Sequence, residues 1–405
     1  MNDFLKGIKI VELGTYVAVP KASRMMADWG AEVIKVEPLS GESWRTIGRT
    51  YNVPYSKDCN PMFHTPNANK KSIALDLKSP EGMEVLHELL ANADIFITNT
   101  RGKSLQKIGL DYPSLKEKYP KLIYAYFSGY GSEGPDRDRP GYDVSSYWAK
   151  AGIPLEWTTK ESIPFRATPG FGDGTVAMAI LSGLLAALYG RDKKGCGEYM
   201  ETSLYACALW YNSCGIVRAQ YQSDDAFPIS KYDQSAPYNL AYQSGDGVWF
   251  IFSAPNWNNV YDKLFEKIGL GAFIDDERFA TLEACRANMR LLVDLLEQAY
   301  KAMTIRQISD VFLQLDFVSE ILVYPGDVIK DEQAWANKYL QNVSLPNGDV
   351  FVVPSNPIQF SSDSGVETKP SPKLGEHSME ILQSLGCSGD KIDQLIEHDV
   401  IFADS

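Results

Sequence analysis

The sequence predicts an α/β protein: a large domain of helices layered on a parallel sheet, joined to a smaller α+β domain. Three observations predict this. Short β-branched runs alternate with helical patterns over the first two hundred residues. The pattern changes near residue 220, where a polar, Pro- and Tyr-bearing stretch precedes a hairpin signal and several amphipathic helices. Apolar segments then resume after about residue 317. The expected organisation is residues 1–219 for the first part of the large domain, 220–317 for the small domain, and 318–405 for a return to the large one.

In chain order, segments 8–13, 33–36, 72–77, 95–98 and 122–127 are apolar enough to be strands covered on both faces. Between them, 22–29, 80–91 and 112–118 have helical spacing, and Pro80 suits a first helical turn. A loop ending in Ala167-Thr-Pro-Gly-Phe-Gly-Asp-Gly-Thr175 feeds an Ala/Leu-rich helix through Tyr189, apolar on nearly every side and expected to be buried. After the basic turn 191–194, a second apolar helix is expected over 204–219. Residues 223–239 read as a polar connection, 242–253 as a hairpin turning at Gly245-Asp-Gly247, and 258–304 as amphipathic helices. Segments 322–324, 350–354 and 378–397 make up the expected return.

With 39 basic and 52 acidic side chains the net charge is −13, which argues against a general nucleic-acid binder. An anionic ligand therefore needs a local basic cluster. Six scattered cysteines, without a Cys-x-x-Cys pair, indicate neither a disulfide framework nor a zinc site and suit a reducing, cytoplasmic compartment. No export signal is apparent at the N-terminus. The most apolar stretch, 175–189, is shorter than the ~20 residues of a bilayer span, so no membrane partner is expected.

The turn after the first strand is Gly14-Thr-Tyr-Val-Ala-Val-Pro20 and lacks the Gly-x-Gly-x-x-Gly of dinucleotide folds. Glu37, closing the second strand, is a weak candidate for a ribose-binding acid. The four histidines, 64, 87, 377 and 398, form no recognisable ligand pair, and no metal is expected. Asp173 is distinctive because Gly172 and Gly174 remove side-chain bulk on both sides. The helix that follows points its positive end at the acid and is expected to keep it ionised. Asp173 is then either a simple N-cap or a carboxylate nucleophile. Lys35, Arg45, Lys70, Lys71, Lys78, Arg101, Lys103, Lys107, Arg137 and Arg139 lie in or near loops of the α/β half, where together they could receive a phosphorylated ligand.

An ordered set of motifs then resembles the class III (family III) coenzyme A transferases over nearly the whole chain. It comprises Gly7-Ile-Lys-Ile-Val-Glu-Leu13, Ala27-Asp-Trp-Gly-Ala-Glu-Val-Ile-Lys-Val-Glu-Pro38 and Asn67-Ala-Asn-Lys-Lys-Ser-Ile-Ala-Leu-Asp-Leu-Lys78. It continues with Ala93-Asp-Ile-Phe-Ile-Thr-Asn99, Ser128-Gly-Tyr-Gly-Ser-Glu-Gly-Pro135, Pro169-Gly-Phe-Gly-Asp-Gly174, Asp331-Glu-Gln333 and Leu374-Gly-Glu-His377. The resemblance implies a Rossmann-like large domain, an interlocked homodimer, and a coenzyme A thioester as substrate with no permanently bound cofactor. It places Asp173 on the family's catalytic aspartate, acting through a mixed anhydride and an aspartyl-CoA thioester. It further implies contacts to CoA from Tyr16, Val17, Leu75, Lys78, Asn99, Thr100, Lys107 and Arg139. Acyl or oxyanion support would come from Gly172, Gly174, Tyr142 and Trp148.

Related acyl-CoA racemases carry a His at the position of Tyr142; a phenol titrating near 10 is a poor base at neutral pH, so transfer is expected over racemisation. Pro38 stands where some members carry Arg, and the glycine-rich loop of the formyl-CoA enzyme has no counterpart. Asn60-Pro-Met-Phe63, residues 109–120 and Asp331-Glu-Gln-Ala-Trp-Ala-Asn337 resemble enzymes that pass CoA from an acyl- or enoyl-CoA to an (R)-2-hydroxy acid. Asp173-Gly-Thr-Val departs from the Asp-His of that subgroup, and the alternatives are an acyl-CoA racemase or epimerase of the same superfamily, or transfer to another acid such as carnitine or formate/oxalate. Trp44, Tyr51, Tyr130, Tyr142, Trp148 and Tyr238 are the aromatic candidates for an acyl pocket.

Overall fold

The computed structural model describes residues 3–222, 227–254, 256–345, 347–361 and 368–404, so residues 223–226 of the expected polar connection lie outside the described residues. The chain forms two compact units. The first comprises Met1–Ala151, Arg166–Ile216 and Glu332–Ser405, and the second Gly152–Phe165 and Val217–Asp331.

In the first unit, strands β1 (Lys9–Leu13), β2 (Glu32–Glu37), β3 (Lys71–Leu75), β4 (Ile95–Thr98), β5 (Ile123–Ser128) and β6 (Tyr199–Ser203) pair in parallel. Their order is 3-2-1-4-5-6, and Ile401–Phe402 adds an antiparallel edge beside β3. Both faces are covered, as the apolar runs predict: Ile10, Val33, Ile73, Ile95 and Ile123 are each at most 1% exposed. β6 and the Ile401–Phe402 edge were not expected; Tyr-Met-Glu-Thr-Ser is half-buried at the sheet margin and has no continuous apolar run.

Helix α1 runs from Ala18 to Asp28, earlier than the expected start at 22. Helix α2 (Pro80–Ala91) begins as predicted, with Ser79 Oγ accepting from Gly82 N–H at 3.0 Å and Pro80 in the first turn. The apolar helix α3 (Phe171–Lys194) is longer than expected and packs along α1. It is not enclosed on all sides: Val176, Ile180 and Leu184 are buried, whereas Phe171 and Tyr189 are 61% and 66% exposed. The next helix, α4 (Leu204–Tyr211), ends at Asn212, and Ser213–Ala219 follows as a separate helix rather than one continuous element. The C-terminal helices Ser378–Ser384 and Gly389–Glu397 bring Ile381, Leu382, Ile392 and Leu395 into the same core as Leu75 and Leu86.

The second unit has its own core, including Trp257, Phe265 and Tyr300. Its hairpin turns where predicted, with Gly247 at φ 82° and Ser244 N–H donating to Val248 O at 3.0 Å. The expected return at 318 is corrected to 332, because Val318–Ile321 pairs antiparallel with Trp249–Ser253 of this unit. The expectation that 1–219 is continuous is corrected likewise: Gly152–Phe165 belongs to the second unit, where Thr159 bridges Ile229.

Candidate active site

The sheet order reverses between β1 and β4, and loops leaving the carboxyl ends of adjacent strands diverge at such a point to open a crevice. A cavity of about 720 Å³ lies there, lined by Thr15 and Tyr16 after β1, Asn99–Ser104 after β4, and Ser128 and Gly129 at the end of β5. Asn99 ties the first two loops together. Its Oδ1 accepts from Thr15 N–H at 3.0 Å and its Nδ2 donates to Thr15 O at 2.9 Å.

The next residue, Tyr16, has φ 65°, a left-handed conformation that a bulky side chain adopts only when its surroundings enforce it. Enforcement comes from Glu42, whose Oε2 accepts from Tyr16 N–H at 2.8 Å. Glu42 is in turn held by Lys35 at 2.8 Å. Lys35 also donates to Gly14 O and to Glu12, each at 2.8 Å, and Lys70 reaches the other Glu12 oxygen at 2.7 Å. Glu12 and Lys35 are strand neighbours in register, and both are fully buried. Burial by itself raises the Glu12 carboxyl, but the two lysines overcome it and hold it at about 2. Burial pulls Lys70 down to about 8, whereas the three glutamates around Lys35 raise it. The network clamps the backbone of the β1 loop, and it removes Lys35 and Lys70 from the expected phosphate-binding group. Arg45 is removed too, because it grips Glu37 at 2.6 and 2.8 Å; Glu37 is thereby a structural partner and not a ribose ligand.

Asp173 lines this cavity from the first turn of α3 and is half-buried. Its expected place as the N-cap is corrected: the N-cap is Gly170, with φ 85°. The capping carboxylate comes from Asp143, whose Oδ2 accepts from Gly170 N–H at 2.6 Å and which also attracts the N–H groups of Phe171 and Gly172. Glycine is required at 172, since a Cβ there would lie 2.3 Å from Asp143 Oδ1 and 2.6 Å from Tyr147 Cγ. The expectation that the helix end alone keeps Asp173 ionised is also corrected. Burial, and then the Asp143 charge, push its carboxyl up to about 7 against the opposing influence of Lys21. A carboxylate titrating there is more basic than an exposed one, and hence a better nucleophile when ionised.

Of the residues expected to contact CoA, Tyr16, Asn99, Thr100 and Arg139 line the cavity. Val17 does not; it packs with Trp44 and Phe63. Leu75 is 1% exposed, packed in the core with Leu86 and Ile401, and does not line the cavity. Lys78 and Lys107 are exposed beyond the cavity's lining. Arg101, Lys103, Arg137, Arg139 and Arg166 do border it, so the basic cluster is a rim drawn from three segments, in which Lys103 and Arg137 pair at the surface with Asp138 and Arg139 with Asp136. Among the aromatic candidates, Trp44, Tyr51 and Tyr142 line the cavity. Trp148 is buried against Tyr147 and Phe171, Tyr130 lies under Arg139, and Tyr238 packs in the second unit's core. Gly172 and Gly174 contribute space rather than surface. Sequence reasoning missed Asp143 as the cap, and it missed Lys21 and Arg166; an acid or base distant in sequence carries no local signal. Among the described residues no group of three His, Cys, Asp or Glu could hold a metal ion.

A half-buried carboxylate facing a cavity with a basic rim can attack an acyl carbon while the rim binds a polyanionic handle. Comparison with known proteins is consistent with this chemistry. The CoA-transferase family III model matches residues 5–378. An (R)-2-hydroxy-4-methylpentanoate CoA-transferase of Clostridioides difficile is 35% identical over 98% of this chain and 99% of its own length. A cinnamoyl-CoA:phenyllactate CoA-transferase of Clostridium sporogenes is 34% identical over 97% and 96%. The crystal structure of a CAIB/BAIF family protein from Brucella suis superposes with a TM-score of 0.78 at 31% identity, over 95% of this chain and 100% of that one.

Proposed function

Because this chain belongs to CoA-transferase family III, we propose that it moves coenzyme A from an acyl- or enoyl-CoA to the carboxylate of an (R)-2-hydroxy acid through Asp173. It is an enzyme of the CoA-transferase type, with acyl-CoA and carboxylate substrates. The observation that carries the finer reading is the position of Asp173, exposed to a cavity whose rim carries Arg101, Lys103, Arg137, Arg139 and Arg166 and whose wall includes Trp44, Ile47 and Tyr51. Cations suit the phosphates of CoA, and the apolar wall suits a branched or aromatic acyl chain. The two 2-hydroxy-acid relatives support that choice of acceptor.

In the proposed sequence an ionised Asp173 oxygen attacks the thioester carbon. The C–S bond breaks, CoA leaves as thiolate, and an aspartyl anhydride remains. The thiolate then attacks the aspartyl carbonyl, releasing the donor acid as carboxylate and leaving an aspartyl-CoA thioester. The acceptor carboxylate attacks the aspartyl-CoA thioester, its C–S bond breaks to release CoA thiolate and leave a second mixed anhydride, and the thiolate then attacks the acceptor's carbonyl, forming the acceptor-CoA thioester and expelling Asp173 as carboxylate. Every step exchanges one carboxylate or thiolate for another, so no net proton, metal or nucleotide enters the balance.

We further propose a homodimer, interlocked and cytoplasmic. Phe171 and Tyr189 on α3 and Trp210 on α4 remain 61%, 66% and 79% exposed, an apolar face that a second copy would cover. The test of the mechanism is to incubate the enzyme with an acyl-CoA and examine the Asp173 peptide by mass spectrometry for an acyl or CoA adduct, with hydroxylamine trapping as control. Asp173→Ala should abolish transfer and the adduct while retaining acyl-CoA binding; undiminished transfer refutes the nucleophile. A panel of acceptors tests the substrate class, and exclusive use of dicarboxylates or carnitine would overturn the 2-hydroxy-acid assignment.

A further inference from the structure

Gly174 follows Asp173 in the first turn of α3, and a Cβ built on it would lie 3.4 Å from Lys21 Nζ. Lys21 belongs to α1, where its N–H donates to Val17 O at 2.8 Å, and α1 packs along α3. The lysine ammonium therefore stands beside the backbone of residue 174, in the space that a side chain there would contest. No described carboxylate lies within 4.0 Å of this half-buried ammonium, unlike those of Lys35 and Lys70. A shielded cation without a close partner, next to a carboxylate that must be ionised to react, calls for a role.

We propose that Lys21 is the charge partner of Asp173: reaching through the gap left by Gly174, its ammonium holds the nucleophile ionised against the opposing charge of Asp143. This rests on the reading of Asp173 as nucleophile. Lys21 acts through Asp173 and does not line the cavity, which makes it a positioning residue.

The surroundings support the assignment. From α1, Lys21 and Arg24 face this region, and Arg24 has its own partner in Asp28 at 3.7 Å. From the 143–149 segment come Asp143 and Tyr147, whose hydroxyl accepts from Thr175 Oγ1 at 3.0 Å. From α4, the Tyr211 hydroxyl donates to Thr175 O at 3.3 Å, and Arg166 borders the cavity. Of these, Asp143 is the charge that raises the Asp173 carboxyl and Lys21 the one that lowers it. Reciprocally, burial and Arg24 depress Lys21 while Asp173 supports its charge.

The test is the pH dependence of kcat/KM together with the rate of Asp173 adduct formation in a single turnover. Removing a nearby opposite charge moves a carboxyl upward by about one unit or more. For Lys21→Met the acidic limb should therefore rise from about 7 towards 8, giving roughly a five-fold loss at pH 7 that disappears above pH 9. Lys21→Arg should keep the limb in place. Gly174→Leu leaves the lysine in the chain but displaces its ammonium, and should raise the limb in the same direction, which guards against a Lys21 variant that fails to fold. A limb unmoved in both Lys21→Met and Gly174→Leu, or a loss equal at every pH, overturns the proposal. If the wild-type enzyme forms no Asp173 adduct, the nucleophile reading itself falls; an adduct with an unmoved limb rejects Lys21 alone.

Discussion

Asp143→Asn separates the electrostatic from the structural work of the residue that caps α3. Its carboxylate accepts from Gly170 N–H at 2.6 Å and is the second cause, after burial, that pushes Asp173 up to about 7. Asparagine retains one acceptor oxygen but loses the charge. With the like charge gone, the Asp173 carboxyl should fall by about one unit. At pH 6 its ionised share then rises from roughly a tenth to about half, a gain of about five-fold in kcat/KM that vanishes by pH 9. The structural effect runs the other way. The amide NH₂ replaces one acceptor before the N–H groups of Phe171 and Gly172, and losing charge-assisted hydrogen bonds costs about 1.5–3 kcal/mol. The assay is kcat/KM from pH 5 to 9 beside urea unfolding of the same preparation. An acidic limb moving downward while stability falls is the expected result. A limb that stays in place or moves upward refutes the claim that Asp143 acts on Asp173 through its charge.

Four further outcomes are expected. Lys35→Met strands Glu42 and leaves Glu12 with Lys70 alone, and breaking a buried pair costs about 3–5 kcal/mol in urea unfolding; a loss below about 1 kcal/mol would show that the network does not clamp the β1 loop. In the wild type, Glu12 held at about 2 against 4.5 contributes stability that is fully present above pH 4.5 and lost as pH falls towards 2, so Glu12→Gln should flatten the acid unfolding curve in that window. Gly172→Ala forces Asp143 and Tyr147 aside, with a loss of about 1–3 kcal/mol and of most transfer activity, seen by thermal unfolding and kcat; wild-type kcat would contradict the close approach. Arg139→Ala should raise KM for the CoA ester about ten-fold at low salt, less at high salt, with kcat unchanged, because a rim cation meets the polyanion and not the reacting carbon.

Much of the scaffold was legible because local chemistry and the fold agree. The Pro80 start, the Gly245-Asp-Gly247 turn and the doubly covered strands all follow from propensities that tertiary contacts reinforce. Strand order was not legible, since parallel strands are joined through helices and nothing in β1 states that β4 lies beside it. Nor was the use of the lysines. Lys35 and Lys70 look the same in sequence as Lys103, yet Lys35 on β2 and Lys70 just before β3 both reach Glu12, whereas Lys103 sits on the short helix Gly102–Lys107 at the cavity. The boundary at 332 escaped because Val318–Ile321 is a half-exposed strand with an alternating, not continuous, burial pattern. Asp173 was legible for a different reason: its two flanking glycines mark a close approach. The two reasons turn out to differ, one glycine admitting Asp143 and Tyr147 and the other lying beside Lys21.

That division bears on how the proposed nucleophile is both shielded and reactive. A carboxylate deep in apolar surroundings would be protonated and inert, and one in open water would be a weak base. Here two glycines flank the same first turn of α3: Gly172 admits Asp143, which a Cβ would displace, and Gly174 leaves Lys21 Nζ 3.4 Å from where its Cβ would stand. The helix end receives its cap from Asp143, which leaves Asp173 free of backbone duty and directed to the cavity. The balance of the two charges, set against burial, places the titration at about 7, where the carboxylate is present in quantity and still basic enough to attack. The buried Glu12, Lys35 and Glu42 network serves the other side of the same cavity by fixing Tyr16 in a conformation it would not choose alone. On the proposed reading the acyl carbon sits between a wall held by buried ion pairs and a nucleophile tuned by Asp143 and Lys21, and the two sets meet on α1, where Lys70 donates to Pro20 O beside Lys21 at 2.8 Å.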